Sequence, residues 1–286
     1  MQRSKIFRLF LFVLFCCEVL PASSQPYFDV AGASGWHMPQ NLNGDRISET
    51  EGYFFVSFPF DINKKNKIII SPFHETRLLD TQANKSVTLK STTLPVAWLY
   101  QPGDSAWSFL AFAAFRSNST DFRFNGDVFQ VAGAVLVNYR VTPTLTLKTG
   151  VYLSKEFYGD FFMYLIGIDW KINQRMNLFG LVNNNLRFEY RFTEKFHGGF
   201  SFKSINNSYR SVGDGGYYKI SDNHLCTYAD ISLGKKIIWN IEAGHTLFRY
   251  IKGRNGADFP HISKDGFIFK TGIAYRIRFK NAFTGK

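Results

Sequence analysis

The sequence predicts an all-β chain closed into an antiparallel transmembrane β-barrel of about 14 strands, with about 12 as the alternative, because single-chain barrels of this kind carry even strand numbers. Three observations predict it. Every long segment sets an apolar, aromatic face against a small, polar or charged one; short turns alternate with longer links; and the chain opens on an export segment and is rich in aromatics, 17% Phe, Trp and Tyr with 31 Phe. Successive side chains of a strand point to opposite faces, so this alternation reads as strand throughout. Alternation alone leaves open what each face meets. A soluble sheet buries its apolar face and wets the charged one, whereas a membrane barrel gives the apolar face to lipid and the charged face to its lumen.

The first residues, MQRSKIFRLFLFVLFCCEVLPASSQ, place Arg3, Lys5 and Arg8 before an apolar run that Glu18 ends. A membrane anchor needs roughly 20 apolar residues, so residues 1–24 read as a secretory signal peptide cleaved after Ser24. Residues 25–286 read as one barrel domain. Cleavage removes Cys16 and Cys17 and leaves Cys226 alone, so an intramolecular disulfide is not expected. The net charge of +12 comes from cations dispersed through alternating segments. Together with export, that dispersal argues against a nucleic-acid partner.

Along the mature chain, YFDVAGASG at Tyr27 supplies a first strand, and about 13 more fit between Tyr53 and Phe279. In FQVAGAVLVNYR, Phe129, Val131, Val135, Val137 and Tyr139 oppose Gln130, Ala132, Ala134, Asn138 and Arg140. TLTLKTGVYLS sets Leu147, Val151 and Leu153 against Thr146, Lys148 and Gly150. FFMYLIGIDWKI sets Phe162, Tyr164, Ile166, Ile168 and Trp170 against Gly167, Asp169 and Lys171. LRFEYRF sets Leu186, Phe188, Tyr190 and Phe192 against Arg187, Glu189 and Arg191, and IIWNIEAGHTL sets Trp239, Ile241 and Ala243 against Asn240, Glu242 and Gly244. In the last segment, DGFIFKTGIAYRIRF, Phe269, Ile273, Tyr275, Ile277 and Phe279 face lipid while Lys270, Arg276 and Arg278 face inward.

Connections separate the two readings of the alternation. Short turns fall at DINKKNK, QPGDS, RVTPT, NQR, TEK and GKK, and longer links near residues 76–92, 117–127, 155–160, 206–224 and 252–264. Short turns at one end and long loops at the other mark an outer-membrane barrel. One connection breaks the rule: NNN at Asn183–Asn185 is tight yet lies on the long-loop side. In hydrocarbon every backbone polar group must be paired within the protein, so strands span only as a closed barrel.

Several stretches resemble a domain-of-unknown-function family of outer-membrane β-barrels known mostly from Bacteroidota: LPVAWLYQPGDSAWSF (Leu94 to Phe109), WKINQRMNLFGLVNNNLRFEYRFTEKFHGGFSF (Trp170 to Phe202), the following SYRSV, and EAGHTLFRY (Glu242 to Tyr250). The resemblance implies an outer-membrane location and a barrel fold. It lends no catalytic residue.

Candidate sites follow from the inner face. Lys148, Lys171, Arg187, Arg191, Lys203, Lys270, Arg276 and Arg278 stand there against Asp169, Glu189, Asp230 and Glu242. They read either as a lumen that favours a small anionic solute or as a brace of cross-strand ion pairs. The brace weighs more, because Arg187, Glu189 and Arg191 alternate on one strand. Tyr275, Ile277 and Phe279 resemble the terminal signal read by the barrel-assembly machinery. All six His are isolated in the sequence, and the best catalytic candidate, His245, falls on the lipid face. Val212–His224 reads as a flexible surface loop without the calcium-loop pattern. No zinc spacing, phosphate loop or nucleotide fingerprint occurs, so neither metal nor cofactor is expected. The expectation is a porin-like outer-membrane barrel without enzymatic activity: a passive pore, small-solute transporter or structural envelope protein. A lipid-modifying barrel enzyme and a secreted soluble all-β binding protein are the alternatives.

Overall fold

The period-2 segments become sixteen strand segments in a computed structural model of the chain. The structure describes residues 26–42, 45–81, 85–255, 257 and 262–279, so the predicted signal peptide lies outside the described residues. The segments are β1 (Tyr27–Leu42), β2 (Asp45–Val56), β3 (Phe58–Asn63), β4 (Asn66–Ile70), β5 (Phe73–Thr81), β6 (Lys85–Tyr100), β7 (Trp107–Ser119) and β8 (Phe129–Thr142). They continue with β9 (Leu145–Glu156), β10 (Gly159–Lys171), β11 (Met176–Leu181), β12 (Asn185–Arg191), β13 (Phe196–Arg210), β14 (Tyr217–Ser232), β15 (Ile237–Arg254) and β16 (Phe267–Arg278).

β4 and β5 run in one register along β6, from Ile70↔Val96 to Phe73↔Thr93, and so form one interrupted strand. β2 and β3 are likewise one strand bent at Ser57, pairing β5 and β4 in turn. The wall therefore has 14 strands. β1 pairs antiparallel with β16 from Tyr27↔Arg278 to His37↔Phe269, which closes the barrel between its first and last strands.

Polarity is inverted relative to a soluble protein. Tyr164 is 69% exposed and Ile166 60% exposed on the outer face, while Gln130, Asp169 and Glu189 are buried inside. Apolar-out and polar-in over a closed wall is the arrangement of a transmembrane barrel. Trp98, Trp107, Trp170 and Trp239 all stand outward near the short-turn end, with Trp98 stacked on Tyr100 and Trp107 4.5 Å from Tyr139. Tryptophan ranks this way at a membrane–water interface because its ring is apolar and its N–H polar. This end, where Tyr27 and Arg278 pair, is called the lower end below.

The lower turns are short because side chains satisfy their backbone. Asn63 Oδ1 accepts from Lys65 N and Asn66 N at 2.9 and 3.0 Å, Asn173 Oδ1 accepts from Arg175 N and Met176 N at 2.8 and 2.9 Å, and Thr193 Oγ1 accepts from Phe196 N at 3.0 Å. The upper end differs from expectation. Most of residues 76–92 and 206–224 is strand, since β5 runs to Thr81, β6 starts at Lys85, β13 runs to Arg210 and β14 starts at Tyr217. Residues 155–160 hold only a tight turn at 157–158. These strands continue past the apolar band, and polar side chains within the stretches that suggested loop, among them Arg77, Ser91, Ser208, Asp222 and His224, are buried inside the barrel.

Candidate functional site

In the upper lumen opposite walls touch. Leu79 of β5 and Leu89 of β6 form one buried cluster with Ile205 and Tyr209 of β13, Tyr218 and Ile220 of β14, Ile251 of β15, and Ala257 and Ile262 from the β15–β16 link. The Tyr209 hydroxyl crosses the barrel to donate to Glu75. Beside this cluster lies an ionic one. Arg77 meets Glu49 at 3.0 Å and Glu51 at 2.6 Å, Arg249 contacts Glu49 and lies 3.5 Å from Asp222, and His224 Nε2 is 3.1 Å from Asp222. Charges this deeply buried persist only when paired. The expected loop at Val212–His224 is thus corrected: only its first residues turn, with Asp214 accepting from Ser211 and Gly216, while Asp222 and His224 are core residues of β14.

Part of the lower lumen is occupied by ion pairs, most of them along β11–β16 and β1. Arg276 reaches Asp29 at 2.6 Å and Asp230 at 2.5 Å, with its guanidinium 3.6 Å from the Tyr27 ring. Arg187 donates to the Tyr27 hydroxyl at 2.7 Å, lies 3.6 Å from both Asp230 and Glu242, and covers the Tyr228 ring at 3.8 Å. Arg278 pairs with Glu189 at 3.2 Å, Lys270 with Glu242 at 3.6 Å, and Lys148 with Asp169 at 2.7 Å. The inner charges singled out from the sequence are therefore arranged largely as a cross-strand brace. Lys171 and Arg191 stand half-buried beside the lower turns, and Lys203 projects into the remaining space, 5.8 Å from the Tyr53 ring.

Two further expectations are placed by the structure. Tyr275 and Ile277 are half-buried in β16, but Phe279 is not the last lipid-facing residue of that strand. β16 ends at Arg278; Phe279 donates its N–H to Pro26 O at 3.1 Å and borders the lumen cavity. His245 is exposed on the outer face, its Nδ1 2.7 Å from Thr246 O.

What remains open is a cavity of about 750 Å³ against β4–β10 and β13. Its mouth at the lower end carries Lys64, Lys65 and Arg140, and Phe112, Leu136 and Tyr152 line its flank. Its inner end is reached by Phe161, Met163 and Asn184, and Arg116 and Glu75 border it from above. There Arg116 binds Glu156 at 2.6 Å and Asn207 at 2.9 Å, and Glu75 holds Tyr209.

The wall beside this inner end is not a continuous ladder. Asn183 lies in the turn that ends β11 and β12 early, and Gly180 makes the bend possible: its φ is +120°, and a Cβ there would fall 2.0 Å from Asn185 O. β10 pairs with β11 only from Gly167↔Leu181 downward, and β12 pairs with β13 only up to Asn185↔Lys203. Above those pairs, β10 and β13 face each other with no ladder pair among the described residues. Side chains stitch the seam instead. Asn183 Nδ2 donates to Tyr164 O, the Tyr158 hydroxyl donates to Asn206 Oδ1 at 2.9 Å, and Phe157 N donates to Ser208 Oγ at 2.9 Å. Glu156 Oε2 accepts from Ser208 N at 3.1 Å, and Arg210 at the top of β13 pairs in parallel with Ser119 of β7. Sequence reasoning missed Glu156, Tyr158, Asn206 and Ser208; the tight NNN turn was the one visible sign of them.

No family model matches the sequence, and no curated protein matches it. Among solved structures the chain is similar to an outer membrane channel from Pseudomonas putida F1, with a TM-score of 0.48 and 9% identity over 91% of this chain and 100% of that one. It is also similar to the NanC porin (TM-score 0.42, 9% identity, 86% and 98% covered) and to the KdgM porin (0.39, 10%, 86% and 98%). The architecture given above rests on the strand register of this chain itself.

Proposed function

We propose that this chain is an exported outer-membrane barrel, without enzymatic activity, that takes a small solute into its lower cavity and does not hold an open pore. Outer-membrane lipid surrounds its apolar band, and the barrel-assembly machinery inserts it. The observation that carries the reading is the one-ended lumen: a cavity of about 750 Å³ opens at the lower end, while side chains from opposite walls fill the lumen above it. A general pore would need a continuous aqueous path instead. The buried His224–Asp222 pair lies in the ionic core with Trp36 5.4 Å from the imidazole, away from the cavity, which favours a structural role for it.

The test is conductance in planar bilayers. The full mature chain should give current near the lipid baseline, and the double variant Leu89→Ala/Tyr209→Ala, which empties the upper cluster, should give steady current. A large steady current from the unaltered chain would overturn the closed-lumen reading.

A further inference from the structure

We propose that the cavity binds an amphiphile with an apolar body and an anionic end, and that this molecule exchanges with the outer leaflet through the seam between β10 and β13. The inference deepens the transporter reading and rests on it. Its starting point is the missing ladder. In hydrocarbon an irregular backbone edge is tolerated only where it is buried in protein or lines a cavity, and here two such edges face each other where the lumen cavity reaches the wall.

The seam lies at membrane depth. Tyr164 stands outward on β10 six residues above the outward Trp170. At about 3.4 Å per residue and a strand tilt of about 40°, that is roughly 16 Å above the lower tryptophan rank, inside an apolar band about 25 Å tall. Facing the seam from within are Phe161 and Met163. A molecule leaving the cavity there enters lipid, not water, and the filled upper lumen offers it no other upward route.

The lining sets the chemistry. Phe112, Leu136, Phe161 and Met163 form an apolar flank that a fully hydrophilic solute would desolvate without recompense. Lys64, Lys65 and Arg140 gather at the mouth, where an anionic end gains charge-assisted hydrogen bonds. At the upper end of the seam the Glu156 carboxylate is already held by Arg116 and Ser208, and below it the rims offer neutral polar groups. Asn183, Asn184, Asn206 and the Tyr158 hydroxyl can hydrogen-bond a passing carboxylate or phosphate without trapping it as a buried ion pair would.

The experiment uses the full mature chain with Cys226→Ser, reconstituted in vesicles. The probe is a radiolabelled long-chain carboxylate dissolved in the bilayer, with the trimethylammonium of equal chain length as the charge control and a short hydrophilic sugar acid as the class control. Cysteines replace Tyr158 and Asn206, and a thiol-cleavable bismaleimide locks the seam after folding. The carboxylate should bind saturably; the lock should slow filling from the bilayer by about tenfold or more, and cleaving it should restore the rate. Lys64→Glu with Lys65→Glu should weaken the carboxylate several-fold and leave the trimethylammonium unweakened. Equal filling rates with and without the lock would overturn the lateral route. Equal binding of both charges would overturn the anionic end. Saturable binding of the sugar acid and none of the amphiphile would overturn the inference while leaving the transporter reading standing; binding of none of them would overturn both.

Discussion

The upper and lower halves of the lumen share one wall and one alternating pattern, yet one is solid and the other holds a cavity. The difference lies in circumference. Where Arg210 of β13 meets Ser119 of β7, strands β8–β12 are cut out of the ring, and nine remain: β13–β16, β1, β2, β5, β6 and β7. A ring of about eight strands is one that side chains just fill. Below the Asn183 turn, where β11 and β12 join, all 14 strands form the wall, and ion pairs along β11–β16 and β1 occupy only part of the wider interior. The lesson is that strand count at the membrane does not fix lumen width. Local loss of a hairpin does.

The two halves should respond differently to losing an arginine, and this is the largest effect expected. Arg77 is 1% exposed and is the partner of both Glu49 and Glu51, so Arg77→Ala leaves two buried carboxylates with one remaining cation near Glu49. Breaking a buried pair this way costs about 3–5 kcal/mol. Arg187 is wetter, and its acids keep other cations, Arg276 for Asp230 and Lys270 for Glu242. Arg187→Ala should cost about 1–3 kcal/mol. Denaturant unfolding of the refolded barrel in detergent, followed by the gel shift between folded and boiled protein, compares them. Equal losses would mean that the upper core is hydrated and the contrast between the halves is wrong.

A second contrast concerns the outer face. Ile166 and Phe122 are 60% and 57% exposed, but Ile166 stands in the apolar band on β10 and Phe122 in the link after β7. Ile166→Arg should destabilise by about 2–4 kcal/mol near the midplane, and Phe122→Arg by about 0–1 kcal/mol. Refolding yield into lipid vesicles against urea measures both. Equal tolerance would remove the membrane band from β10, and with it the depth assigned to the seam.

Much of this was legible beforehand because it is local. Alternation placed Gln130, Asp169, Glu189 and Glu242 inside and Phe162, Ile166 and Trp239 outside, and turn residues such as Asn63, Asn173 and Thr193 marked the lower end. The upper strands were not legible. Asp222 and His224 are polar, and polarity read as loop, since nothing local shows that Arg249 of the neighbouring strand β15 meets Asp222 and reaches on to Glu49 of β2. Phe279 misled for the opposite reason: the parity of β16 extends to it in sequence, but the strand ends one residue earlier. The seam depends on where β10 and β13 lose their shared partners β11 and β12, and its stitched residues Tyr158 and Asn206 are 48 positions apart in the chain, so only the full register reveals it.

The smallest expected effect tests the seam most directly. Tyr158→Phe removes one hydrogen bond, from the Tyr158 hydroxyl to Asn206, and keeps the ring. Global stability should fall by only about 0.5–1.5 kcal/mol, because the ladders on either side are untouched. Local protection should fall more. β10 amides that point toward the seam, such as Phe162, have no strand beyond them, whereas those from Gly167 down are held by β11. In native-state hydrogen exchange, residues 159–165 should exchange faster than 167–171 in the unaltered chain, and Tyr158→Phe should widen that gap without altering the lower half of the strand. Local opening of this kind is expected wherever side chains alone hold two edges together. If the variant speeds exchange uniformly along β10, the stitch is part of the global fold and the seam is not a separate opening unit. If residues 159–165 are as protected as 167–171 in the unaltered chain, a backbone ladder closes the wall there and the lateral route fails with it.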